Sequence, residues 1–92
     1  MVAFVTGTSS GFGAATARRL ATGGTRVVAT ARRIDRLKAL KEEYGDLILP
    51  VTLDVRDRVQ VESVVAGLPP EFASIDVLVN NAGLSLDRKS VV

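Results

Sequence analysis

The sequence predicts an α/β fold in one small domain: a parallel sheet of four strands with three helices. Three observations carry that prediction. Apolar runs of strand length alternate with helix-length segments four times, with short connections, and such alternation implies parallel strands joined by right-handed crossovers. The first apolar run passes directly into a glycine-rich turn, Gly7-Thr8-Ser9-Ser10-Gly11-Phe12-Gly13, which opens a helix. The chain is 47% hydrophobic but 4% aromatic, and its apolar residues are mainly Val, Ala and Leu. That is the composition of strands buried on both faces.

The elements follow in order along the 92 residues. Val2–Thr6 reads as a buried strand. Phe12–Thr22 reads as a helix whose small residues, Ala14, Ala15, Ala17 and Ala21, let it lie close to a sheet. Gly23-Gly24 ends it, because glycine accepts the left-handed conformation that follows a helix. Arg26–Ala31 is a second strand. Ile34–Tyr44 is a helix with Ile34, Leu37, Leu40 and Tyr44 along one stripe and Lys38, Lys41, Glu42 and Glu43 on the wet side; Gly45 stops it. Leu47–Leu53 is a third strand. Pro50 within it argues for a sheet edge, where a missing N–H costs less. Asp57 and Gln60 resemble a capping box for a helix that buries Val61, Val64, Val65 and Leu68 before Pro69-Pro70 breaks it. Ile75–Val79 is the fourth strand, and no element is predicted from Leu84 onward.

Composition excludes several chemistries. With no Cys and no His, there are no disulfides, no thiol nucleophile, no zinc–thiolate site and no imidazole acid–base catalyst. Twelve basic against ten acidic residues give a net charge of +2, too balanced to indicate nucleic acid. No apolar run approaches the roughly 20 residues that span a bilayer, and no basic segment precedes the opening apolar run. A cytoplasmic chain with no membrane partner and no metal is expected.

The glycine-rich turn is the first candidate site. A strand, a tight turn and a helix N-terminus in succession place backbone N–H groups and the positive end of a helix dipole at one point, where a dinucleotide pyrophosphate binds. Gly7 permits the turn, Gly11 lets phosphate approach the backbone, and Gly13 allows close helix packing. Thr8, Ser9 and Ser10 can add hydroxyl donors. A plain strand-to-helix turn is the alternative. A phosphate loop of the Gly-Lys-Ser/Thr type is excluded, since that triplet is absent.

Arg32 and Arg33 follow the second strand, where an acid would hold a ribose 2′-hydroxyl. An Arg there favours a 2′-phosphate, hence NADP over NAD; two solvated arginines are the alternative. Asp54 could accept a hydrogen bond from an adenine amino group, or it could serve as a cap or turn residue before the third helix. Asn80-Asn81-Ala82-Gly83 ends the fourth strand. The small side chains of Ala82 and Gly83 allow close approach of a ligand, and the Asn pair requires polar partners, neighbouring backbone first among them.

Together these residues resemble the short-chain dehydrogenase/reductase family. Its signature Thr-Gly-x-x-x-Gly-x-Gly stands at Thr6–Gly13, its Asn-Asn-Ala-Gly at Asn80–Gly83, and its adenine-side Asp with a following apolar residue at Asp54-Val55. The Arg32-Arg33 pair resembles the NADP-preferring branch, and the wording of the segments is most similar to the subgroup that oxidises 3-hydroxy acids such as serine. The resemblance implies a partial Rossmann fold with strand order 3-2-1-4, two helices on one sheet face and the third on the other. It implies NADP along Gly7–Gly13, Arg32, Arg33, Asp54, Val55, Asn81, Ala82 and Gly83.

The family's chemistry uses a Ser and a Tyr with a Lys four residues later. Here the single tyrosine, Tyr44, is followed four positions on by Ile48, and its place on an apolar stripe indicates packing. No catalytic residue carries over. Residues 1–83 are expected to form a truncated dinucleotide-binding domain and 84–92 an irregular tail, inactive alone. One sheet face would be partly bare, exposing Val and Leu, and the fourth strand would offer an open edge, both inviting self-association. A non-catalytic NADP-sensing or protein-interaction module is the competing reading.

Overall fold

The computed structural model describes residues 1–8, 11–33 and 35–80. Four parallel strands form one sheet, which runs from the third strand in chain order through the second and first to the fourth, as the resemblance implies. β1 (Val2–Thr6) is buried along its whole length and leads to α1 (Gly11–Thr22). β2 (Arg26–Ala31) is buried after its first residue and leads to α2 (Asp35–Tyr44). A 3-10 turn at Gly45–Leu47 precedes β3 (Ile48–Thr52). α3 (Arg58–Ala66) and a short α4 (Pro70–Ala73) precede β4 (Val77–Asn80).

Side-chain alternation along the strands splits the core into two layers. Ala3, Val5, Val27, Ala29, Ile48 and Val79 meet Ala17 and Ala21 of α1 and Leu37 and Leu40 of α2 on one face. Val2, Phe4, Val28 and Leu78 meet Val61 of α3 and Phe72 of α4 on the other. Tyr44 packs against the first layer, and its hydroxyl lies 3.2 Å from Thr22 Oγ1. That is the packing role expected of it.

The expected bare face is not found. Val2, Phe4, Val28 and Leu78 are each at most 5% exposed. They are covered by Leu53, by Val61 of α3 and by Phe72 of a fourth helix that the sequence did not predict. Pro69-Pro70 was expected only to break a helix, yet Pro70 also begins one, because proline fits the first helical position without loss of a hydrogen bond. The turn carries Phe72 into the second layer at 6% exposure.

Other boundaries move for local reasons. α3 stops at Ala66, where Gly67 N–H caps the carbonyls of Ser63 and Val64, so Leu68 packs from outside the helix. The 3-10 turn takes Leu47 from the third strand. Ile75 and Asp76 lie outside β4. The Asp76 carboxylate accepts from Val2 N at 2.9 Å while Asp76 N donates to the Val2 carbonyl at 2.8 Å, so a side chain makes the bond that a strand carbonyl would make. Pro50 sits in β3 at the sheet edge, opposite Ala29, as its missing N–H requires. Gly24 (φ +86°) and Gly45 (φ +59°) hold the left-handed conformations that end α1 and α2. Ile34 and the tail from 84 lie outside the described residues.

Candidate functional site

The helices change sheet face at β1, so the C-terminal ends of β1, β2 and β4 border the crevice where ligands bind in open α/β sheets. Hydroxyl groups tie those ends together. Thr6 Oγ1 donates towards Asn80 Oδ1 at 3.1 Å and the Val79 carbonyl at 3.4 Å. Thr30 Oγ1 donates to the Val5 carbonyl at 3.0 Å. Thr8 donates twice to the Thr30 carbonyl, from its backbone N at 3.1 Å and from Oγ1 at 2.8 Å. All three threonines are at most 1% exposed.

These bonds fix the glycine-rich turn. Gly7 has φ +66°, the left-handed conformation that glycine adopts without strain. A Cβ on Gly13 would fall on the Gly7 carbonyl, with Gly7 C at 2.6 Å and Thr8 Cα at 2.8 Å. The first helical turn therefore packs directly on the strand end, as the close-packing role of Gly13 requires. The Thr8 hydroxyl, a candidate phosphate donor, gives its proton to the Thr30 carbonyl in this structure. Gly11 begins α1, whose first turn carries no acidic residue to oppose an anion at its N-terminus. Ser9, Ser10, Asn81, Ala82 and Gly83 lie outside the described residues, as does the side chain of Phe12.

Arg32 and Arg33 are exposed immediately after β2. The Leu53 N–H donates to the Ala31 carbonyl at 2.9 Å, which keeps the chain after β3 beside the end of β2. Asp54 follows, past the strand rather than at its end. Its Oδ1 accepts from Arg56 N at 3.0 Å and Arg56 Nε at 3.1 Å, and its Oδ2 accepts from Arg56 Nη2 at 3.0 Å. The side-chain bonds from Arg56 are the main reason that the Asp54 carboxyl falls from the usual 3.8 to about 2. The Arg56 N–H adds to the effect, desolvation opposes it, and the charges of Arg56 and Arg32 lower the carboxyl slightly further. The Arg56 guanidinium is raised in turn, first by its hydrogen bonds to Asp54. Val55 is half-buried and packs against the second core layer.

The capping box forms by half. Asp57 Oδ1 accepts from Gln60 N at 3.2 Å, but Gln60 Oε1 turns to Asp54 N at 2.7 Å, and Asp57 N closes a turn on the Asp54 carbonyl at 3.0 Å. Arg56, Gln60 and Thr30 are the site-building residues that sequence reasoning missed. A Thr near the end of an apolar strand and an Arg two positions after an Asp are the signals that were available.

The N-terminus of α1, the exposed Arg32 and Arg33 and the Asp54–Arg56 pair thus follow the C-terminal ends of β1, β2 and β3 respectively. The model of the short chain dehydrogenase family matches residues 1–91. The chain belongs to the short-chain dehydrogenase family. NADP-dependent 3-hydroxy acid dehydrogenase YdfG of Salmonella typhi is 51% identical over 86 residues, which are 94% of this chain and 35% of that protein. Serine 3-dehydrogenase of Rhizobium radiobacter is 48% identical over 82 residues, 89% of this chain and 33% of that protein. The chain thus spans about a third of the length of these curated relatives. Serine dehydrogenase of Escherichia coli superimposes with a TM-score of 0.85 at 49% identity, over 94% of this chain and 39% of that one. A closed form of serine dehydrogenase complexed with NADP+ superimposes with a TM-score of 0.86 at 49% identity, over 94% of this chain and 35% of that one. Among the described residues, no helix is long and apolar enough to cross a membrane.

Proposed function

We propose that this chain is the NADP(H)-binding portion of a short-chain dehydrogenase, one that moves a hydride between NADP and a hydroxy or oxo substrate of the 3-hydroxy acid class. The observation that carries the reading is the pair of hydrogen bonds that Thr8 donates to the Thr30 carbonyl. They hold the glycine-rich turn against the strand that ends at Ala31, just before Arg32. A pyrophosphate over the α1 N-terminus then has a cation beside it for a ribose 2′-phosphate. The names of the relatives support the cofactor and the substrate class.

The nicotinamide group, when bound, supplies the hydride. The chain's own residues bind and orient. Gly7, Gly11 and Gly13 shape the turn, with Thr8 locking it and Ser9 and Ser10 beside the phosphates; Phe12 follows in the first turn of α1. Arg32 and Arg33 select the 2′-phosphate. Asp54 and Val55 border the adenine, and Asn81, Ala82 and Gly83 continue the site past β4. The 92 residues hold no Tyr with a Lys four positions later, so in this reading the chain binds cofactor and does not turn over substrate by itself. Arg32→Asp is expected to abolish a preference for NADP+ over NAD+ in a binding titration; a preference that survives would remove Arg32 from the site.

The reading extends to self-association. β4 is the last strand of the sheet, and a second copy pairing along its edge would satisfy its outer backbone groups. Light scattering on the chain tests this: a dimer is expected, and a clean monomer contradicts it.

A further inference from the structure

The turn between β3 and α3 is wired more heavily than a cap requires. One residue, Arg56, donates three hydrogen bonds to a single carboxylate, through its backbone N, Nε and Nη2. A second, Gln60, fixes the same residue from behind by accepting from Asp54 N, and the Asp57 N–H closes the loop on the Asp54 carbonyl. The helix cap is already made by Asp57 Oδ1, so capping does not explain the fork on Asp54. The Asp54 side chain stays 35% exposed. Its Oδ1 takes two of the donors and Oδ2 takes one, which leaves Oδ2 capacity for a further N–H. The carboxylate stands at the sheet edge where Arg32 acts on it from the end of β2.

We propose that Arg56 is a positioning residue: it clamps Asp54 as a fixed acceptor so that Oδ2 takes a hydrogen bond from the exocyclic amino group of an adenine base. The inference rests on the cofactor reading above and deepens it. Arg56 does not touch the nucleotide. It removes the rotational freedom of a short side chain whose carboxylate can only accept, so that an amino group is accepted and an oxo group in its place is repelled.

The test compares NADP+ with its hypoxanthine analogue, in which oxygen replaces the 6-amino group, by titration into the full chain. The unmodified chain is expected to favour NADP+ by about tenfold, the scale of one hydrogen bond to a charged acceptor. Arg56→Gln is expected to reduce that ratio to about twofold or less while the preference for NADP+ over NAD+ is kept. Arg56→Lys restores the charge without the fork and is expected to leave the ratio low. An unchanged ratio in Arg56→Gln, or full recovery in Arg56→Lys, would overturn the inference. A second measurement needs no nucleotide. By carboxyl-carbon NMR, Asp54 is expected to titrate near 2 in the unmodified chain and to move up towards the ordinary carboxylate range in Arg56→Gln; an unmoved titration would also overturn it. Failure of the cofactor reading itself is distinguishable, because the unmodified chain would then show no preference for NADP+ over NAD+.

Discussion

Gly13 carries the tightest constraint at the scale of single residues. Its missing side chain is what brings the first turn of α1 onto the Gly7 carbonyl, and the atoms that a Cβ would meet are backbone. Gly13→Ala is therefore expected to destabilise the fold by about 1–3 kcal/mol, the usual cost of overpacking, and more if the turn cannot shift. Urea unfolding measures this, and a variant as stable as the parent would refute the close packing. Gly7 and Gly13 were legible in the sequence because their roles follow from local geometry: a positive φ and a contact within one strand-turn-helix unit. Thr30 and Arg56 were not. The Thr30 carbonyl matters because Thr8, 22 residues away, lies beside it, and the meaning of Arg56 depends on where Asp54 points. The bond from the Thr8 hydroxyl was not legible for the same reason, since only the neighbouring strand shows where its proton goes.

Strands and long helices were legible because burial on both faces and a 3.6-residue period leave direct marks on composition. β1 and β2 appear with their predicted bounds. Where a side chain replaces backbone as hydrogen-bond partner, as Asp76 does for Val2, the apolar pattern overran the element. The short helix α4 left no period to read, and its prolines signalled an end more strongly than a beginning. Yet α4 decides whether the second sheet face is covered. Phe72, 6% exposed, is its anchor. Phe72→Ala is expected to cost about 3–5 kcal/mol, a large share of what a chain of this size has. A thermal melt reads the change, and a loss below about 1 kcal/mol would show that the face is closed by other means.

For the molecule as a whole, strand order and the assignment of α1 and α2 to one face with α3 on the other followed from the family resemblance. The structure agrees on both. It differs in that, among the described residues, the apolar side chains of the second sheet face are covered. The central claim concerns the crevice at the C-terminal ends of the strands, where the glycine turn, Arg32 and Asp54 form one continuous border. Calorimetric titration of the unmodified chain with NADP+ and with NAD+ tests that claim most directly. The 2′-phosphate offers Arg32 a charge-assisted, bidentate contact, so NADP+ is expected to bind at least about tenfold more tightly. Equal affinity for the two cofactors, or binding of neither, would contradict the account.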